Sequence, residues 1–269
     1  MTDLVPRLPR HAVETIHAFL RAHALSPGLD GVVLGLSGGI DSALTARLTR
    51  DALGPDRVLG VQLPDSGFPV SLRSETEEYA RSLGIRHRLV EIEPIEARYR
   101  ESLAELADPV ALGNIKARIR MSVLYTVARS ERKLVAGTGN KSEILLGYFT
   151  KYGDGGVDLL PIGDLYKTEV RQLAEELALP EPIRARPPTA GLWEGQTDEA
   201  ELGFPYEVID RILHGLEQLR TDEEIARRTG VALPRVREVL DRVARNRHKR
   251  RPPPIPKIGL RTVGLDWRD

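Results

Sequence analysis

The chain contains no cysteine. Disulfides, thiolate zinc sites, iron–sulfur clusters, thiol-based sulfur transfer and a cysteine-nucleophile glutaminase are therefore excluded within it. An amide-forming enzyme built this way must take free ammonia or receive it from a partner. An excess of either charge is lacking too: 39 Lys and Arg stand against 39 Asp and Glu in 269 residues. A whole-molecule field that would recruit nucleic acid or an anionic membrane is not indicated. No apolar stretch approaches the length that spans a bilayer, and Met1 to Arg10 lacks the hydrophobic core of a secretory signal. These absences predict a cytoplasmic protein with no membrane and no nucleic-acid partner. The length suits one large α/β domain, or one with a modest appendage.

What is present begins with residues 34 to 45, an apolar run that breaks into Ser37-Gly38-Gly39 and resumes with helical spacing at Asp41-Ser42. Val32, Val33, Leu34 and Leu36 have the continuous hydrophobicity of a buried parallel strand, and Ala43, Leu44, Ala46 and Leu48 that of a helix. Glycines at such a turn let backbone N–H groups approach an anion, and the helix adds its positive dipole end. The spacing predicts a phosphate site. No lysine follows the glycines, so this is not the GxxxxGK[ST] loop, and GxGxxG is missing as well. Asp41 would repel a polyphosphate unless a divalent cation lay between them, which argues for Mg²⁺. In that role its loss would affect metal-dependent chemistry and leave stability nearly untouched.

The remaining pattern alternates. A helix is predicted over 11–25, ended by the Ser26-Pro27-Gly28 breaker, then a strand over 31–36, a helix over 41–53, a strand over 58–63, a helix over 69–83 and a strand over 88–92. Such alternation implies right-handed crossovers and a doubly wound parallel sheet flanked by helices, an α/β fold whose ligands lie beyond the carboxyl ends of the strands. Two helical patterns over 94–130 divide near Asp108-Pro109. A strand over 133–136 leads through Gly137-Thr138-Gly139-Asn140 to a helix beginning at Lys141. Residues 153–158 read as a flexible acidic loop, 166–177 as a helix, and 180–197 as an irregular, proline-containing loop of the kind that serves as a lid. Three short helices over 205–219, 221–229 and 233–247 form a helical C-terminal extension, followed by a basic, proline-rich tail. The expected organisation is one catalytic domain over 1–256, with its helical part about 205–249, and a tail over 257–269.

Three later segments accompany the glycine loop: Asn114-Ile115-Lys116-Ala117-Arg118-Ile119-Arg120; Gly137 to Glu143 running into Gly147 to Gly156; and Pro161 to Thr168, with a closing His248-Lys249-Arg250. Ser37-Gly38-Gly39-Ile40-Asp41-Ser42 resembles the SGGxDS pyrophosphate loop of ATP pyrophosphatases. In this order, from about residue 10 to 256, the segments resemble NAD synthetases of the ammonia-dependent type. The resemblance implies an adenine nucleotide alpha hydrolase-like fold, and formation of NAD from deamido-NAD, ATP and ammonia, through an adenylate, in a homodimer. It implies that Ser37, Gly38, Gly39, Asp41, Ser42, Thr138, Lys167 and Thr189 contact ATP, and that Asp41 and Glu143 converge on Mg²⁺. It also implies that Asn114, Arg120, Lys151, Asp154, His248 and Lys249 surround deamido-NAD. Asp41, Lys167 and Asp154 are the candidate catalytic residues, with Asp154 placed for ammonia. Where the family often has an aromatic residue before the Asn114 segment, this chain has Val110, Ala111 and Leu112.

Other readings compete. Lys116 and Arg120, one helical turn apart, read on their own as solvated helix charges. Asp154 could serve only to shape a Gly-rich turn. Thr221 to Arg251 has the rhythm of a small basic helix-turn-helix unit. A different adenylating enzyme, acting on another nucleotide or on tRNA, is the enzymatic alternative.

Overall fold

Four parallel strands form one sheet in the order β3-β2-β1-β4, with β1 Val32–Gly35, β2 Val58–Gln62, β3 Arg86–Leu89 and β4 Leu134–Ala136. In register, Val32 lies opposite both Val58 and Leu134. The structure is a computed structural model and describes residues 4–25, 28–106, 108–189, 191–193, 195–263 and 266. The predicted breaker at residues 26 and 27, the start of the chain and most of its last six residues lie outside that set.

The twofold alternation of strand side chains sorts the core. Val32, Leu34 and Val58 point to a face covered by α1 Ala12–Ala24, α2 Ile40–Leu53, α3 Val70–Ser82 and α7 Lys167–Glu176, while Val33, Leu59, Val61 and Val135 meet Ile119, Val127 and Ala128 of α5 Pro109–Glu131. Helices on both faces of a parallel sheet bear out the doubly wound reading. With β1 central, the chain moves outward through β2 and β3 and then returns to β4 on the other side, so the crevice beyond the ends of β1 and β4 is the switch point where ligands bind.

The remaining helices are α4 Glu93–Ser102, α6 Lys141–Leu146, α8 Glu181–Arg184, α9 Asp198–Leu202, α10 Tyr206–Glu217, α11 Asp222–Thr229 and α12 Leu233–Arg245. Ile209, Ile212, Leu213, Ile225, Val236, Val239 and Val243 pack with Leu4, Leu146 and Tyr166. The segment with helix-turn-helix rhythm thus spends its apolar faces on the body of the protein.

Three local readings need correction. The edge strand lies at Arg86–Leu89, slightly before the predicted 88–92; Val90 and Ile92 still donate N–H bonds to the carbonyls of Gln62 and Pro64, but outside a regular ladder. The stretch read as irregular contains α8, which starts with prolines at its N-cap and first turn, where a missing N–H does no harm, and α9 follows directly after that stretch. The loop read as flexible is tied down: Asp158 accepts from Val135 N–H at 2.8 Å, and Gly153 and Gly155 both donate to the Thr150 carbonyl.

Candidate active site

The glycine loop leaves β1 and closes on itself. Ser42 Oγ donates to the Gly39 carbonyl at 2.9 Å and lies 3.1 Å from Ser37 Oγ, and the Ser37 N–H donates to Ser42 Oγ. Gly38 adopts φ +79°, and a Cβ there would stand 2.5 Å from Leu72 Cδ1 of α3. Glycine is thus required both by conformation and by close approach. Arg186, from the proline-containing loop, donates to the Gly38 carbonyl and pairs with Glu75 at 2.6 Å.

Asp41, in the first turn of α2, faces two later segments. Its Oδ2 lies 2.5 Å from Lys167 Nζ, and its Oδ1 accepts from Asn140 Nδ2 at 3.0 Å. Asn140 caps α6, accepting from the Glu143 N–H while the Glu143 carboxylate accepts from the Asn140 N–H. Glu143 Oε1 is 3.6 Å from the same Lys167 ammonium. Asp41 and Glu143, 102 positions apart in the numbering of the chain, therefore converge on one cation. Burial pushes the Glu143 carboxyl up to about 8, and the Asp41 charge adds to the shift against the attraction of Lys167. Burial works to lower the Lys167 pKa, but Asp41 and Glu143 outweigh it and hold that pKa above the usual value. Two carboxylates without a third protein ligand suit Mg²⁺, which commonly takes one or two carboxylates and completes its shell with phosphate oxygens and water. Among the described residues there is no cluster of three or more His, Cys, Asp or Glu set to hold a metal ion.

A second group gathers on α5 and the turn after α6. Thr150 Oγ1 donates to Asn114 Oδ1 at 2.6 Å, and the Thr150 N–H donates to Asp154 Oδ1 at 2.8 Å. The Asp154 residue is exposed, yet its carboxyl is crowded by the turn, which raises its pKa against the pull of Thr150, Lys249 and Arg120. Lys249 Nζ donates to the carbonyls of Gly147 and Phe149 at 2.7 and 2.8 Å. Arg120 donates to the Leu63 carbonyl at 3.2 Å and reaches Asp65 at 3.4 Å.

A sequence profile of the NAD synthase family matches residues 12–253. The chain belongs to the NAD synthase family. It is 48% identical over 250 residues to the NH(3)-dependent NAD(+) synthetase of Methanosarcina acetivorans, covering 92% of this chain and 98% of that one. The corresponding protein of Archaeoglobus fulgidus is 47% identical, with 91% and 96% covered. Among solved structures, NMN synthetase from Francisella tularensis superposes with a TM-score of 0.80 at 31% identity, over 94% of this chain and all of that one. The NH3-dependent NAD synthetase of Campylobacter jejuni gives 0.77 at 33%, over 92% and 99%. The fold is accordingly the adenine nucleotide alpha hydrolase fold of NAD synthases.

Within this NAD synthase chain, the residues named from sequence separate into those the fold joins and those it leaves apart. Ser37 to Ser42, Glu143 and Lys167 meet at the switch point, and Thr138 follows the neighbouring strand. Asn114 and Asp154 meet through Thr150, with Arg120 and Lys249 acting on the Asp154 charge. Thr189 is exposed, and its hydroxyl accepts from the Gly191 N–H at 3.1 Å. Lys151 lies against the Tyr152 ring, and His248 is exposed. Lys116, read as a solvated charge, is instead buried.

Sequence reasoning missed three supporting residues. Asn140 carries the capping-box signal, Asn followed three positions later by Glu, that could have singled it out. Buried Asp198 accepts from Tyr206 Oη at 3.1 Å and adds negative charge around Lys167. Buried Asp210 accepts from Ser142 Oγ at 2.5 Å and from the Thr168 N–H at 2.8 Å, joining α6 to α7. Neither Asp198 nor Asp210 has a local pattern that marks it.

Proposed function

We propose that the protein amidates deamido-NAD with ammonia, consuming ATP and releasing AMP and pyrophosphate. The observation that carries this reading is the convergence of Asp41, Glu143 and Lys167 beyond the ends of β1 and β4, beside a loop shaped for phosphate.

A nicotinate carboxylate resists attack because its charge is delocalised, so one oxygen must become part of a leaving group. Its oxygen attacks the ATP α-phosphorus, forming the acyl-adenylate and breaking the bond to pyrophosphate, which leaves into the Ser37–Ser42 loop. Ammonia then adds to the acyl carbon, loses a proton, and AMP departs as the amide forms. Anion meets anion in the first step, so placement and neutralisation carry the rate. Lys167 is held at the first position of α7 by the bond from its own N–H to Ser142 Oγ at 2.9 Å, and its buried ammonium is the group we assign to the α-phosphate. Asp41 and Glu143 would hold Mg²⁺, which supplies charge neutralisation on the phosphates when bound. Asp154, crowded and with raised proton affinity, is the group we assign to capture ammonium and take its proton.

A homodimer and one catalytic unit over 1–256 belong to the same reading. Lys151, which lies against the Tyr152 ring, and His248, which is exposed, are the residues we assign to substrate bound across the subunit boundary. Light scattering of the purified protein should give twice the chain mass.

The deciding assay supplies ATP, Mg²⁺, ammonium and one acid, and follows AMP, pyrophosphate and amide. Equal amounts of all three are expected with deamido-NAD, and little with glutamine in place of ammonium. Because one structural relative is named an NMN synthetase, nicotinate mononucleotide is the competing acid. Preference for it, or for xanthylate or tRNA, would overturn the assignment.

A further inference from the structure

Lys116 is buried on α5, one turn before Arg120, and its charge is fully engaged. Its Nζ lies 2.7 Å from Asp65 Oδ2, 3.7 Å from Glu96 Oε1, and donates to the Leu192 carbonyl at 3.1 Å. Placing an ammonium among protein groups requires such compensation, and a site needing only bulk would be filled as well by an apolar side chain. What the ammonium adds is a directed bond to a carbonyl in the loop between α8 and α9. Under that bond sits Gly113, where a Cβ would be 3.1 Å from the Leu192 side chain, so the helix is shaped to let the loop come close. The Leu192 N–H is held from the other side by Gln196 Oε1 at 2.8 Å. At its other end the same loop is fixed to the phosphate loop by Arg186. Thr189 hangs between these two attachments.

We propose that Lys116 is a positioning residue that latches this loop onto α5, and that Asp65, shared between Lys116 and Arg120, connects the latch to the deamido-NAD site. This rests on the assignment of Arg120 to that substrate. The connection is electrostatic: Arg120 reaches Asp65 Oδ2, the oxygen that also pairs with Lys116. An anionic substrate group on Arg120 draws positive charge away from Asp65, which then depends more on Lys116 and holds its ammonium beneath Leu192. Binding of the acid thereby tightens the cover over the adenylate before water can compete with ammonia.

The chain has two tryptophans, and Trp193 lies in the latched loop. In a Trp267→Phe background, acrylamide quenching of Trp193 reads the latch without turnover. Deamido-NAD is expected to lower the quenching constant. Lys116→Met should raise it about twofold and remove the response to deamido-NAD. Gly113→Val, which keeps Lys116 and Asp65 but pushes Leu192 away, should raise it likewise, so the test survives if Lys116→Met does not fold. In turnover, both variants should release more AMP than NAD, with kcat falling about tenfold and the KM for deamido-NAD changing much less. Wild-type quenching and a one-to-one AMP to NAD ratio in the variants that fold would overturn the latch, whatever happens to melting temperature. Failure of wild-type protein to amidate deamido-NAD would instead count against the functional assignment and leave the quenching comparison standing.

Discussion

Lys167 opens α7 at the helix end where the macrodipole disfavours a cation, and the structure explains why it stays there: two carboxylates from other segments need it. That changes the outlook for Asp41. Read as a metal ligand alone, it could be lost without harm to stability, but it also neutralises a buried ammonium. Asp41→Asn is expected to cut AMP formation about 100-fold or more. It should also destabilise by about 1–3 kcal/mol, less than the roughly 3–5 kcal/mol of an orphaned buried charge, because Glu143 remains. A urea titration beside the activity assay checks both. Gly38→Ala forces a side chain into the left-handed region and against Leu72, so ATP binding should be lost along with about 1–3 kcal/mol. Calorimetric titration with ATP would detect the binding loss. The phosphate loop was legible because its strand, glycines and helix are contiguous. Asp198 and Lys116 were not, since an acid and a lysine with helical neighbours look solvated until other segments cover them.

At the scale of elements, the fold places function at helix starts. α2 presents Asp41, α6 presents Glu143, and α7 presents Lys167, each in its first turn. The registration of α6 with α7 depends on α10, because Asp210 binds Ser142 Oγ and the Thr168 N–H together. Asp210→Ala should therefore lower kcat by about tenfold or more by loosening the Lys167 position, and destabilise by about 2–4 kcal/mol through the polar groups left unpaired. Asp210→Asn, which keeps an acceptor, should recover part of both in the same kinetic and unfolding measurements. Long helices and the inner strands were readable from periodicity. The edge strand and the two short helices were not: Arg86 to Arg88 show no apolar alternation, and a four- or five-residue helix is too short to display a repeat.

For the whole molecule, the site is a store of electrostatic tension that pH should expose. Glu143 binds its proton more tightly in the folded state, about 8 against an ordinary 4.5, so this contribution is fully present below the unfolded value and disappears as pH rises through the folded one. The half-buried histidines His17 and His87, with pKa values lowered by desolvation, oppose it only below about 6.5, where the unfolded chain protonates first. Between pH 6.5 and 8, ligand-free protein in EDTA should lose melting temperature, and Glu143→Gln should flatten that slope. Differential scanning fluorimetry across this window makes the comparison. The central position of β1 has one more implication, for biosynthesis. Its first neighbour follows within about thirty residues, but its second is β4, and the groups that finish the pocket emerge later still, at Lys167 and Asp210. A nascent chain can build half a sheet early, yet nucleotide has no complete pocket to shelter in until α10 has left the ribosome. Protection of stalled chains from protease by ATP should thus appear abruptly at lengths beyond that helix.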